Sequence, residues 1–145
     1  MRGRVGFCLS ALLAVSMWGC GTTCDKGDIE KEIRYSGGTV DASGTTYETN
    51  PWTGPYLHFP AGRRYVIEHR LGAVPPAPDL FIAFQEHPLK RQGGNNVAPP
   101  AGNQVVIEWV DEEIVQVRND TCSEFYLRVV AWLAAGDVPP DAGTD

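Results

Sequence analysis

The chain has 145 residues, 43% hydrophobic and 21% charged, with 16 glycines, 11 prolines and four cysteines; this allows one domain of ordinary size and favours short strands and turns over long helices. Its formal charge is −6, and without Arg2 and Arg4 it becomes −8. Such a surface repels phosphate backbones and anionic headgroups, so nucleic acid is excluded as a partner and any membrane attachment has to come from something other than charge.

In chain order the first element reads as a secretory leader. Arg2 and Arg4 form a basic start, and residues 5–17 are almost wholly apolar or small. The apolar run is shorter than the roughly 20 residues that a membrane-spanning helix needs, so cleavage of this signal helix is expected. Two cleavage patterns are open. Met17, Trp18, Gly19 and Cys20 resemble the lipobox of bacterial lipoproteins, in which a small residue precedes a cysteine that is thioether-lipidated and becomes the new N-terminus. Gly19 and Cys20 fit that pattern, whereas Met17 stands where Leu is usual and Trp18 is bulky where a small residue is usual. Alternatively, Ala14, Val15 and Ser16 have the small-x-small form of an ordinary leader cut after Ser16.

Cysteine arithmetic favours the lipoprotein. Cys8 leaves with the leader, and three sulfurs remain, at Cys20, Cys24 and Cys122. A lipid on Cys20 leaves Cys24 and Cys122 as a pair for a disulfide in an oxidising compartment. That bridge closes a loop of roughly 100 residues, which the chain-entropy model values at about 4 kcal/mol. Gly21, Thr22 and Thr23 span only about 10 Å between lipid and bridge, so the domain is expected to sit against the membrane. In well-studied lipoproteins an Asp after the lipidated cysteine favours the inner membrane, so the resemblance makes Gly21 a pointer to the outer one.

From Lys26 onward the apolar residues alternate with period two, the pattern of half-buried strands. Weaker candidates come first, at 33–35, 45–48 and 56–59. In 64–70, Tyr65, Ile67 and His69 share one face; a further candidate follows at 80–85. In 104–110, Val105, Ile107 and Trp109 alternate with Val106, Glu108 and Val110. A polar turn at 111–113 joins this run to 114–118 as a hairpin, and a second turn follows at Asn119, Asp120 and Thr121, whose side chains suit local backbone hydrogen bonds. The strongest strand is 125–133, with Phe125, Leu127, Val129, Ala131 and Leu133 on one face and Tyr126, Arg128, Val130 and Trp132 on the other. About eight short strands joined by Gly, Pro and Asn turns predict an all-β fold, an antiparallel β-sandwich. The implied organisation is a signal peptide at 1–19, a lipidated tether at 20–31, the sandwich at 32–135 and a disordered acidic tail at 136–145. Segments 72–79 and 86–103 do not read as strands, and the second is long enough to be either functional or disordered.

The search for catalytic chemistry returns no G-x-S-x-G elbow, Walker A loop, dinucleotide fingerprint or H-E-x-x-H. His58, His69 and His87 lack metal-like spacing. If residues 60–63 form a turn between neighbouring strands, His58 and His69 face each other and, with Glu68 or Glu86, outline a metal site; structural histidines are the commoner outcome. Glu108, Asp111, Glu112 and Glu113 cluster at a hairpin tip, where solvated charge is expected and a glycosidase would need two carboxyls in a cleft. No metal or other cofactor is therefore expected.

The aromatic residues carry more. Sugar rings present apolar C–H faces that pack on such side chains while polar groups fix the hydroxyls. Trp109 and Trp132 lie on strands and are expected in the core. Trp52, between Asn50-Pro51 and Thr53-Gly54-Pro55, is expected at the surface, forming a ligand-binding patch with Tyr47 and Tyr56. The run 64–72, followed by Ala101, Gly102, Asn103, Gln104 and the hairpin through Asn119, resembles small uncharacterised bacterial lipoproteins, which implies no activity. The order of an H-L-G-like turn, a long loop, a hairpin and a final strand ending in Val-Ala-Trp is similar, over 64–133, to H-type lectin and phage tail-fibre sandwich domains. That similarity implies a carbohydrate-binding or assembly role by fold-level analogy alone. The expectation is a non-catalytic envelope lipoprotein that binds a glycan or a protein partner. The alternatives are a structural or assembly component and, more remotely, a small hydrolase or metal enzyme using His58, His69 and Glu68.

Overall fold

The computed structural model describes residues 32–89 and 97–137, and within them the chain is all β. Ten strands occur: β1 (Glu32–Tyr35), β2 (Thr39–Val40), β3 (Thr46–Glu48), β4 (Leu57–Phe59), β5 (Arg64–Glu68), β6 (Asp79–Ala83), β7 (Val97–Ala98), β8 (Val106–Val110), β9 (Ile114–Arg118) and β10 (Phe125–Trp132). They form a four-stranded sheet in the order β1-β5-β9-β8 and a six-stranded sheet in the order β2-β3-β10-β6-β7, with β4 also on β10. The long β10 makes the second sheet possible, since its C-terminal half pairs with β3, its N-terminal half with β4, and its other edge with β6. Among the described residues no helix is long and apolar enough to cross a membrane.

All eight expected strands are present, most of them trimmed at an end. The count rises to ten because β2 and β7 are two-residue strands, too short to show alternation; β7 falls inside the segment read as a long connection. The architecture is also not wholly antiparallel, because β1 runs parallel to β5. The run 64–70 stops early for a backbone reason. His69 still donates its amide to the Glu113 carbonyl at 3.0 Å, but Arg70 then adopts φ 56° and Gly72 φ 71°, which turns the chain out of the sheet.

Both sheets contribute to one core. Tyr65, Ile67, Val115 and Val117 come from the four-stranded sheet, and Tyr47, Phe59, Ile82, Phe125, Leu127, Val129 and Ala131 from the six-stranded one. The polar anchor between them is Asn119, which is fully buried. Its amide donates to the carbonyls of Phe59, Pro60 and Ser123 at 3.1, 3.1 and 2.8 Å. Its side-chain oxygen accepts from the amide and hydroxyl of Thr121 at 3.0 and 2.7 Å. One side chain thus ties the link between β4 and β5 to the turn before β10.

A β-bulge in β8 corrects two sequence expectations. The register jumps between Ile107, opposite Val117, and Trp109, opposite Gln116. The extra residue puts Glu108 and Trp109 on the outer side together, because a one-residue shift reverses the facing of everything after it. Trp109 is therefore 58% exposed instead of lying in the core, with its indole N–H donating to Asp111 at 2.7 Å. Nor is Glu108 a solvated tip carboxylate. It accepts from the guanidinium groups of Arg64 and Arg118 and from Gln116, and these bonds, the one from Arg64 foremost, hold its carboxyl down at about 2. A lowered carboxyl pKa stabilises the fold above the unfolded value and loses that contribution as pH falls toward the folded one. Unfolding free energy is therefore expected to drop by about 2 kcal/mol, after allowance for solvent screening, between pH 5 and pH 2 on account of this group. Denaturant titrations at the two pH values check it: Glu108→Gln should flatten the dependence by that amount.

Candidate functional site

Strand register assigns the outer face of the six-stranded sheet residue by residue, because partners directly opposite in an antiparallel ladder point to the same side. Phe125, Leu127, Val129 and Ala131 of β10 face the core, so Tyr126, Arg128, Val130 and Trp132 point outward. Four rows follow. Tyr126 lies between His58 and Ala83, Arg128 beside Phe81, Val130 between Glu48 and Asp79, and Trp132 beside Thr46. The His58 and Tyr126 rings are 5.6 Å apart, and His58 Nε2 lies 3.5 Å from the Glu124 carboxylate.

Arg128 organises the middle of this face. Although it points outward it is only 7% exposed. Its Nε donates to the Asn50 carbonyl at 2.9 Å and its guanidinium pairs with Glu48. The guanidinium carbon sits 5.1 Å from the Trp52 ring centre and 5.6 Å from that of Phe81. Trp52 and Phe81 meet edge to face at 5.2 Å. Cation–π and edge-to-face contacts thereby fix a tryptophan that belongs to a loop. Trp52 keeps 40% of its surface exposed and Trp132 keeps 39%.

Of the expected patch of Trp52, Tyr47 and Tyr56, two members are buried. Trp52 is at the surface. Tyr56 is adjacent but buried, with its amide donating to the Glu86 carbonyl at 2.8 Å and its hydroxyl 3.5 Å from the Trp52 carbonyl. Tyr47 lies opposite Ala131 on the core face. Its hydroxyl donates to the Gly37 carbonyl at 2.9 Å, and burial pushes the phenol well above its ordinary range. A β-carbon at Gly38, where φ is 85°, would come within 2.6 Å of the Glu48 carbonyl and 2.7 Å of the Tyr47 hydroxyl, so that site suits glycine alone. Trp132, expected in the core, lies instead on the outer face. Phe81 and Tyr126 were not singled out as ligand-binding residues, although the alternation of 125–133 already grouped Tyr126, Arg128 and Trp132 on one side.

The structure does not bring His58 and His69 together. Residues 60–63 lead from one sheet to the other instead of joining neighbours, so His58 stays on the outer face of the six-stranded sheet while His69 is buried at the end of β5. His69 Nδ1 accepts from the Leu71 amide at 3.2 Å, so Nε2 carries the proton that it donates to the Asp111 carbonyl at 3.0 Å. Desolvation lowers its pKa and favours this neutral tautomer. Glu68 lines a separate cleft of about 330 Å³ with Arg70, Gly72, Glu112 and Glu113. Among the described residues no group of three or more His, Cys, Asp or Glu side chains is arranged to hold a metal.

Cys20 and Cys24 lie outside the described residues. Cys122 is exposed in the turn before β10, and no second cysteine occurs among the described residues. No family model, no curated protein and no solved structure matches the chain.

Proposed function

We propose that this protein is an exported, lipid-anchored β-sandwich module of the bacterial envelope that binds a glycan on the outer face of its six-stranded sheet, without catalysis. The observation that carries the reading is the placement of Trp52, Phe81, Tyr126 and Trp132 on one face, interleaved with Glu48, Asp79, His58 and Thr46. Aromatic rings beside fixed polar groups suit a sugar, which has apolar C–H surfaces edged by hydroxyls. The lipobox-like Met17 to Cys20, the basic leader and the odd cysteine count support export and anchoring at Cys20, toward the outer membrane, with Cys24 as the partner of Cys122.

The assembly alternative draws on edge strand β8, where Ile107 and Trp109 are 42% and 58% exposed. The bulge at Glu108 interrupts that edge, a device that discourages strand addition, and so favours the glycan reading.

A glycan array followed by titration of its best ligand tests the proposal. Trp52→Ala is expected to weaken binding about tenfold, the value of one lost aromatic stack, and Trp132→Ala to do the same without disturbing Arg128. Trp109→Ala, on the other sheet, should leave affinity unchanged. A blank array with correctly folded protein, or equal affinity in all three variants, overturns the reading.

A further inference from the structure

We infer that the ligand of this face is a polysaccharide chain free of acidic groups, lying along β10 and held by several consecutive sugars; this rests on the glycan-binding reading above.

Length comes from the register. Tyr126 and Trp132 are the first and last outward aromatics of β10, six residues apart, which at roughly 3.3 Å per residue separates them by about 20 Å. That distance is several times the width of one pyranose ring. Trp52 and Phe81 stand between them over Arg128, and the row of Glu48, Val130 and Asp79 separates that pair from Trp132. Aromatic and carboxylate-bearing rows thus succeed each other along one strand. A single sugar reaches one aromatic row, whereas a chain reaches three.

Charge comes from Arg128. It is the one cation among the residues that strand pairing places on this face, and it is already committed to the Asn50 carbonyl, to Glu48 and to the rings of Trp52 and Phe81. The remaining acids are Asp79, exposed, and Glu124, beside His58. A uronate or sulfate laid here would lose hydration next to carboxylates, with no uncommitted cation among the described residues that strand pairing places on this face. Sugar hydroxyls can donate to those same carboxylates, which act as acceptors only.

Affinity electrophoresis of the full mature chain in detergent, through gels containing β-glucan, galactomannan or xylan and through gels containing alginate or polygalacturonate, separates the two classes. Retardation is expected in at least one neutral gel and in neither polyuronate gel. Oligosaccharides of the retarding polymer, from disaccharide to octasaccharide, should then bind about a hundredfold more tightly as they lengthen, about tenfold for each further stack. Trp132→Ala should remove about tenfold from the longest and leave the disaccharide unchanged. Retardation by a polyuronate that Trp52→Ala abolishes, or affinity that does not grow with length, overturns this inference while leaving glycan binding in place. No retardation in any gel, and no sugar bound on the array, removes both.

Discussion

Replacing Asn119 with alanine is expected to lower the unfolding free energy by about 4 kcal/mol. Its amide serves three backbone carbonyls and its oxygen serves both donors of Thr121, from a side chain that is itself fully buried. Truncation removes all five bonds at about 1 kcal/mol each, although the Pro60 and Ser123 carbonyls keep the Arg63 amide and the Thr121 hydroxyl as donors. Urea unfolding followed by circular dichroism measures the loss. Asn119→Asp sharpens the test: at neutral pH a carboxylate faces the Phe59, Pro60 and Ser123 carbonyls, and protonation restores one donor. That variant should therefore regain stability as pH falls through the carboxyl range, the opposite of the trend set by Glu108. An alanine variant within 1 kcal/mol of the parent would show that water replaces the side chain.

The second large effect concerns the cysteines. With Cys24 as the partner of Cys122, reduction or Cys24→Ser is expected to cost about 4 kcal/mol, because a closed loop of roughly 100 residues becomes free in the unfolded state. Unfolding with and without reductant gives the difference, and intact mass of the mature protein from its native host shows whether Cys20 carries acyl chains and whether Cys24 and Cys122 have lost their two thiol hydrogens. An unchanged unfolding midpoint on reduction contradicts the pairing. Cys122 belongs to the turn that Asn119 pins through Ser123 and Thr121, so the two perturbations should be non-additive when combined.

Alternation was enough to locate the strands that have room to alternate. The run 114–118 coincides with β9, and 125–133 with β10 apart from its last residue. Where periodicity had nothing to act on it failed, as at the two-residue β2 and β7. The β8–β9 hairpin was legible from its two runs and polar turn, but long-range pairing was not, since the parallel contact of β1 with β5 joins segments about thirty residues apart through no local signal. The aromatic site was half visible. The side chains of Tyr126, Arg128 and Trp132 were correctly grouped, and Trp52 correctly placed at the surface, but Tyr47 and Tyr56 were drawn into the patch by sequence proximity when their buried positions are set by β10 and Glu86. Trp109 defeated the pattern because a bulge moves one residue without any change in composition.

Physically, the face is a row of rings made rigid from beneath. Arg128 is buried by two aromatic side chains and held by Asn50 and Glu48, so Trp52 is oriented before any ligand arrives and loses little freedom on binding. The three tryptophans among the described residues provide a built-in comparison, with Trp52 and Trp132 on this face and Trp109 on the other sheet. Titrating the best-binding polysaccharide into isotopically labelled protein and following the indole N–H signals by NMR tests the claim directly. Shifts at Trp52 and Trp132 with Trp109 unmoved are the predicted result; movement of Trp109 alone, or of none of the three while the glycan binds, contradicts it.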